Sequence, residues 1–400
     1  MPANSFSENI LLLICVLGTL QGFLLAALIL FHPKSDKSVN KFLALYILCV
    51  SCVMIMPITM NVMGWQHSYI VQPLPLFPGI FLYFYLLSFR STITWWKAWP
   101  HFIIVVIFFF LTYRNLSVMA EIYPNADHIP VEGLKRPETL INILIRAIQQ
   151  FIYYFLARKA LRSYQQSIQH LFSDTSRIDL HWARFLVNGF LVLIVAFLVI
   201  FPLILRYPQY FDPLLLLCMA VATPYIYIAT YKGITQPTIW QLRPDINKET
   251  VEEEIQEAEA IELQIVQQEN PKPAKAGLSK GKIDEIATNI IVLMEKEKLY
   301  TETELTLKQL ADKLQFPTYQ VSQAINEGLG KNFYDLVNNY RVEEAKRLLL
   351  DPKNENYTIL SVAFEAGFNS KTTFNTVFKK FTGATPTEYR EKKKMATLAV

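Results

Sequence analysis

The feature that most constrains this chain is a change of character near Lys232. Up to that point the sequence is a succession of long apolar runs; beyond it the chain is charged and patterned like a soluble protein. A helix that crosses a bilayer needs roughly 20 mostly apolar residues. Seven segments answer to that description in varying degree: Asn9–Phe31, Phe42–Met63, Pro73–Phe89, Pro100–Tyr113, Leu140–Leu156, Ala183–Leu205 and Pro213–Tyr231. The fourth is short and is expected to extend back through Trp95, Trp96 and Trp99, residues suited to a membrane interface. The third begins among Pro73, Pro75 and Pro78, and the fifth carries polar residues. No Lys or Arg precedes Lys34, so the first run lacks the basic leader of a signal peptide, and it is expected to be a retained span. The 52% hydrophobic and 18% charged residues of the whole chain average two unlike parts.

Loop charges predict an orientation, because basic residues accumulate on the cytoplasmic side. The first loop carries Lys34, Lys37 and Lys41, whereas Gly64–Gln72 carries no Lys or Arg. Arg90 and Lys97 follow the third run. After the fourth, Arg114, Lys135 and Arg136 stand against Glu121, Asp127 and Glu132. After the fifth come Arg158, Lys159, Arg162, Arg177 and Arg184, and after the sixth only Arg206. The alternation predicts a multi-pass protein of the cytoplasmic (inner) membrane, with the N-terminus outside and the C-terminus inside.

Within the fifth run, Asn142, Arg146, Gln149, Gln150 and Tyr153 recur at spacings of three and four, which puts them on one helix stripe. A polar stripe is costly in lipid and is expected to face the bundle interior. It has two readings: a site for a ligand or an anionic headgroup, or a strut in which Arg146 bonds carbonyls freed at kinks such as Pro57, Pro202 and Pro224.

The cysteines Cys15, Cys49, Cys52 and Cys218 all lie in apolar runs, which argues against a disulfide framework. Cys49-x-x-Cys52 sits within such a run and is read as small packing residues. The last histidine is His181, so the soluble part lacks the ligands of the usual zinc sites, and no metal or cofactor is expected.

Lys248–Gln268 is acidic and helix-prone, with Val251, Ile255, Ala258, Ile261 and Ile265 spaced as an apolar stripe. It reads either as a solvated amphipathic helix or as a parallel homodimer contact. Asn270–Gly281, with Pro271, Pro273, Gly277 and Gly281 among lysines, has the composition of a tether. These features divide the chain into an apolar domain, 1–232, a linker, 233–281, and a soluble domain, 282–394.

The soluble domain is expected to be helical. Ile283, Ile286, Ile290 and Leu293 mark a first amphipathic helix. Then come two similar helix-turn-helix patterns. In the first, Thr306–Asn326, Thr306 is a helix N-cap. Phe316 and Pro317 form the turn, and Val321, Ala324 and Ile325 face inward. That leaves Thr318, Tyr319, Ser322, Gln323 and Asn326 outward. Pro317 has no capping side chain, so Thr318 is expected to take that role. In the second, Thr358–Gly383, Thr358 and Ser370 are caps and Gly367 ends the first helix. Phe374, Val377, Phe378 and Phe381 form the buried face. Lys371, Thr372, Asn375, Thr376 and Lys379 remain exposed. Phe333–Leu350, capped by Asn332 and ended at Asp351-Pro352, joins the two patterns.

The stretches LADKL, VSQAIN, RVEEAKRLL and SVAFEAGFNSKTTFNTVFKKFTGATPTEYR resemble the DNA-binding domain of the AraC/XylS family of transcription regulators, over roughly Lys282–Arg390. The resemblance implies that Thr318–Asn326 and Ser370–Phe381 are recognition helices, held about one turn of duplex DNA apart, ~34 Å, by the connecting helix. The residues expected to meet bases or phosphates are Thr318, Tyr319, Ser322, Gln323, Asn326, Lys371, Thr372, Asn375, Thr376, Lys379, Lys380 and Arg390. Glu343, Glu344 and Glu365 dilute the basic surface. That family usually carries a soluble sensing domain, and the apolar part of this chain lies outside the resemblance.

The expected fold is all-α, and the expected function is a membrane-embedded, sequence-specific DNA-binding transcription regulator that answers a small-molecule or membrane signal. The alternatives are a passive membrane anchor for a DNA-binding domain, or a transporter-like bundle with a regulatory tail. Against an enzyme, the chain has no H-E-x-x-H, P-loop or G-x-G-x-x-G motif. Against a transporter, no repeat relates the halves of the apolar part.

Overall fold

The computed structural model describes residues 3–31, 37–126, 130–175, 178, 180–207, 210–235 and 278–398. The expected linker stripe at Lys248–Gln268 and the tether up to residue 277 lie outside them. The described residues are helical, with one isolated bridge and no named strand. Two compact units emerge: residues 1–163 with 180–245, and residues 164–179 with 246–400. The second therefore includes a segment from the middle of the apolar part.

In the first unit the long helices are α1 (Ala3–Phe31), α2 (Lys37–Met63), α3 (Phe77–Leu87), α4 (Pro100–Ile122), α5 (Pro137–Leu171), α6 (His181–Arg206) and α7 (Phe211–Thr235). Six elements are long and apolar enough to cross a membrane among the described residues: α1, α2, Trp65–Leu87, α4, α5 and α6. Helix α7 stands where the seventh run was expected, with several side chains outside the described set. Several boundaries differ from expectation: α1 and α2 start at Ala3 and Lys37, ahead of the expected Asn9 and Phe42. Helix α4 does not run back through the tryptophans: Trp95 and Trp96 belong to a separate turn, Trp95–Ala98, and Trp99 stands between it and α4, which runs on past Tyr113 to Ile122. Helix α5 passes the expected end at Leu156 by 15 residues. Arg158, Lys159 and Arg162 are thus helical residues, not loop residues. Hydropathy marks where a helix leaves an apolar phase, not where its backbone bonding stops.

Helices α1 and α2 approach closely through small residues. A Cβ on Gly22 would overlap Ser51, and one on Gly18 would press on Met54. Thr19 donates to the Ser51 carbonyl at 3.1 Å. Tyr46 and Tyr225 share a hydrogen bond between their hydroxyls, and Gly189 leaves space for the Tyr225 ring. Large apolar side chains such as Leu24, Phe110, Phe155 and Val199 point outward and are exposed, as surfaces facing lipid do. The four cysteines are free.

The polar stripe on α5 meets backbone. Leu76 N–H bonds Pro73 O in a tight turn, and Pro75 has no N–H. That leaves the Gln72 carbonyl without a local donor, and Arg146 donates to it at 3.1 Å and to Gln72 Oε1 at 2.9 Å. Gln149 donates to Leu76 O at 2.9 Å, and Gln150 donates to Pro75 O. The Arg146 guanidinium also lies over the Phe108 ring, 5.2 Å from its centroid. Tyr153 hydrogen-bonds His101 at 2.7 Å, and Asn142 is buried.

The second unit contains α8 (Lys280–Lys296), α9 (Leu307–Leu314), α10 (Thr318–Gln323), α11 (Phe333–Leu350), α12 (Ile359–Glu365), α13 (Lys371–Thr382) and α14 (Pro386–Leu398). The buried face of α8 ends on Met294, not on the expected Leu293, which is half-buried. Helices α11 to α14 enclose a core of Val342, Ala345, Val362, Ala366, Phe368, Phe374, Val377 and Phe378, on which Tyr389 packs.

Candidate nucleic-acid interface

Each helix-turn-helix pattern is fixed locally by its caps. Thr306 forms a reciprocal capping box with Gln309: Gln309 N–H donates to Thr306 Oγ1 at 3.2 Å, and Thr306 N–H donates to Gln309 Oε1 at 2.8 Å. The N-cap of α10 is Pro317, with no side-chain cap. Thr318 is the first helical residue and does not cap, contrary to the sequence expectation. The helix leaves α geometry at Ala324 and widens into a π turn to Gly328.

Four of the five residues expected outward on α10 and the turn that follows it are at least partly open. Tyr319 is exposed and accepts from Gln320 Nε2 at 3.0 Å; Thr318, Gln323 and Asn326 are half-buried. The Gln323 amide donates to Glu327 at 3.0 Å. Ser322 departs from expectation, being 6% exposed. It lines a recess with His170, Leu307, Ile325, Asn326 and Phe333. His170 comes from the end of α5, a neighbour that local periodicity could not supply.

The second pattern follows expectation more closely. Thr358 caps α12, and Gly367 ends it at φ +89°. A Cβ there would lie 2.5 Å from the Tyr300 carbonyl oxygen, so both conformation and packing require glycine. Ser370 caps α13 by accepting from Thr373 N–H at 3.1 Å. Phe374, Val377 and Phe378 are buried, and Phe381 is half-buried. On the opposite side Lys371, Thr372, Thr376 and Lys379 are exposed and Asn375 is half-buried. Thr376 Oγ1 donates to Thr372 O at 2.9 Å.

The remaining cations are tied to the protein. Lys380 pairs with Asp335 at 2.8 Å and lies over the Tyr334 and Phe381 rings. Arg390 donates to Tyr357 O at 2.9 Å. The acidic residues of α11 are likewise partnered: Glu344 with Arg347 and Lys298, Glu343 with Lys346. Hydrogen bonding from Arg347, with a further one from Lys298, holds the Glu344 carboxyl down to about 2.

Sequence reasoning missed Arg341. It lies on α11 within the apolar stripe Val337, Ala345 and Leu348, and is 1% exposed. Its Nε donates to Tyr300 O at 2.7 Å, and Nη2 donates to Glu302 O at 2.7 Å and to Ser173 Oγ at 3.1 Å. Longer contacts reach Thr303 O at 3.4 Å and Ser173 O at 3.5 Å. Burial pushes its guanidinium down to about 10, against the pull of Asp174. A lone arginine in an otherwise apolar stripe was the available signal. Among the described residues no group of three or more His, Cys, Asp or Glu could hold a metal ion.

Comparison with known proteins bears on this unit alone. A family model described as a helix-turn-helix domain matches residues 310–392. An uncharacterized HTH-type transcriptional regulator of Staphylococcus aureus (strain COL) is 33% identical over 93 residues, covering 23% of this chain and 12% of that protein. The uncharacterized HTH-type transcriptional regulator YtdP of Bacillus subtilis (strain 168) is 29% identical over 109 residues, 27% of this chain and 13% of its own length. The chain thus spans about an eighth of the length of these relatives. No solved structure matches it. What the comparisons establish is a C-terminal helix-turn-helix domain, similar to those of HTH-type transcriptional regulators, on a chain whose apolar part they do not cover.

Proposed function

We propose that this chain is a DNA-binding transcription regulator held in the cytoplasmic membrane by its apolar helices, with the N-terminus outside, and that a stimulus at the membrane part alters operator binding. The observation that carries the DNA reading is α13. Its Ser370 cap and buried phenylalanines fix the direction in which Lys371, Thr372, Asn375, Thr376 and Lys379 project. Short amides and hydroxyls beside lysines suit base edges and phosphates. The name given to both relatives, HTH-type transcriptional regulator, agrees with it. Lys371, Thr372 and Asn375 are assigned to bases and Lys379 to phosphate. Lys380 and Arg390, already tied to Asp335 and Tyr357 O, are secondary.

Membrane embedding is supported by six helices of sufficient length and apolarity and by their exposed apolar side chains. For the α5 stripe, the carbonyl partners of Arg146, Gln149 and Gln150 favour the strut over the ligand site. Homodimerisation stays a proposal resting on the linker sequence.

The test is binding by the full chain in lipid nanodiscs to a duplex selected from a random-sequence pool. Asn375→Ala is expected to cost about 1–3 kcal/mol on the selected duplex and little on random DNA. Lys379→Ala is expected to weaken both similarly and to flatten the salt dependence by about one phosphate contact. If Asn375→Ala weakens selected and random DNA equally, α13 does not read sequence.

A further inference from the structure

Within the second unit, the segment that links α5 to α6 is bound to the first helix-turn-helix pattern. Phe172 forms an antiparallel bridge with Thr306. Ser173 N–H donates to Leu305 O at 3.2 Å and its Oγ donates to the same carbonyl at 2.7 Å. Asn338 Nδ2 donates to Ser173 O at 2.9 Å, and Arg341 holds Ser173 Oγ. Ser173 is fully buried, and Ile168, Leu171 and Phe172 are buried beside it. The contact combines backbone pairing, apolar burial and two buried polar anchors on α11. Thr306 is the cap of α9, and Leu305 and Arg341 belong to the framework that holds the first pattern together.

The same segment borders α10 at one point. His170 shares a recess with Ser322 and Asn326, two of the residues that the sequence leads one to expect at DNA. A serine that is 6% exposed offers no room for a base edge, so Ser322 reads DNA only in a state in which this recess is open.

We propose that Ile168–Thr175 is an intramolecular latch. It occupies a docking surface formed by Leu305, Thr306, Asn338 and Arg341, and while docked it withholds Ser322, on the inner side of α10, from DNA. Helix α5, which carries the polar stripe in the first unit, ends in this latch, so a displacement of α5 along or about its axis is the movement that would release it. The proposal rests on the DNA-binding reading of the second unit.

The test uses the full chain in nanodiscs with the double variant Phe172→Cys/Thr306→Cys, reduced and oxidised, each titrated with a duplex that the reduced form selects from a random-sequence pool. Mass spectrometry identifies the cross-link. The oxidised form is expected to bind about tenfold or more weakly than the reduced form, the scale of losing at least one good base contact, and reduction is expected to restore binding. The reduced form controls for damage to the Thr306 cap. A complementary variant, Phe172→Asp, which places a carboxylate at a buried position, is expected to bind more tightly than the parent. Equal binding by oxidised and reduced forms would overturn the latch and leave the DNA reading intact. Failure of the cross-link to form would show that the docked pose is not populated, and would also overturn it. If neither form nor the parent selects any duplex, it is the DNA-binding reading that fails.

Discussion

Arg341→Met should destabilise the second unit strongly. The guanidinium makes three bonds of good length, to Tyr300 O, Glu302 O and Ser173 Oγ. A hydrogen bond from a charged donor contributes about 1.5 kcal/mol or more, and an unpaired buried acceptor adds its own desolvation cost. Methionine fills much of the volume but offers no donor to any of the three acceptors. The loss is therefore about 5 kcal/mol, at the upper end of the range measured when one partner of a buried polar arrangement is removed and a large part of a typical domain's stability. Arg341→Lys should recover only part of it, because one ammonium cannot span acceptors set for a planar fork. Pulse proteolysis of the detergent-solubilised chain across urea isolates this unit. Trp65, Trp95, Trp96, Trp99 and Trp182 all lie in the first unit and would report on it instead. Amide exchange adds a second reading: protection at residues 172–175 and at 300–305 should be lost together. A Met variant with an unchanged urea midpoint, or one that loses protection at only one of those segments, would show that Arg341 does not join them.

Two further outcomes are expected. The Glu344 carboxyl is held at about 2 against an ordinary value of 4.5. Its contribution is full above about pH 4.5 and is lost as pH falls towards 2. Glu344→Gln should therefore lower the urea midpoint near neutral pH, and the difference from the parent should vanish in strong acid; a difference constant over that range would refute the pairing. Reporter fusions after Gln66 and Lys232 should report outside and inside respectively. An external signal at Lys232 would rule out cytoplasmic access to DNA and the orientation with it.

Local chemistry made much of the second unit legible. Thr306, Thr358 and Ser370 were recognisable as caps, and Gly367 as a stop, because each acts within a few residues of itself. The inward faces of α10 and α13 followed from 3.6-residue periodicity alone. What local patterns cannot carry is identity of neighbours far away in the chain. Ser322 has the spacing of an outward residue and is buried beside His170. Arg341 has the spacing of a core residue and is satisfied by carbonyls from two separate stretches. In the apolar part, Arg146 was visible as a member of a stripe, but its acceptor was not, since that depends on Pro75 interrupting the bonding of a turn 74 residues earlier. The ends of α4 and α5 were missed because good helix formers such as Gln165 and Gln166 continue a helix without any apolar signal.

The bond from Asn338 to Ser173 joins residues 165 positions apart in the chain. In biosynthesis, Ser173 leaves the ribosome long before α11 exists, and α6 and α7 are made in between. The second unit therefore completes its packing on a segment that was synthesised before α6 and α7. A C-terminal fragment released by a protease cut near Lys232 would lack one of its own structural pieces. It would expose Leu305 and leave Arg341 short of an acceptor. Such a fragment is a different molecule from the tethered domain, in its stability and, on the latch proposal, in how open α10 is.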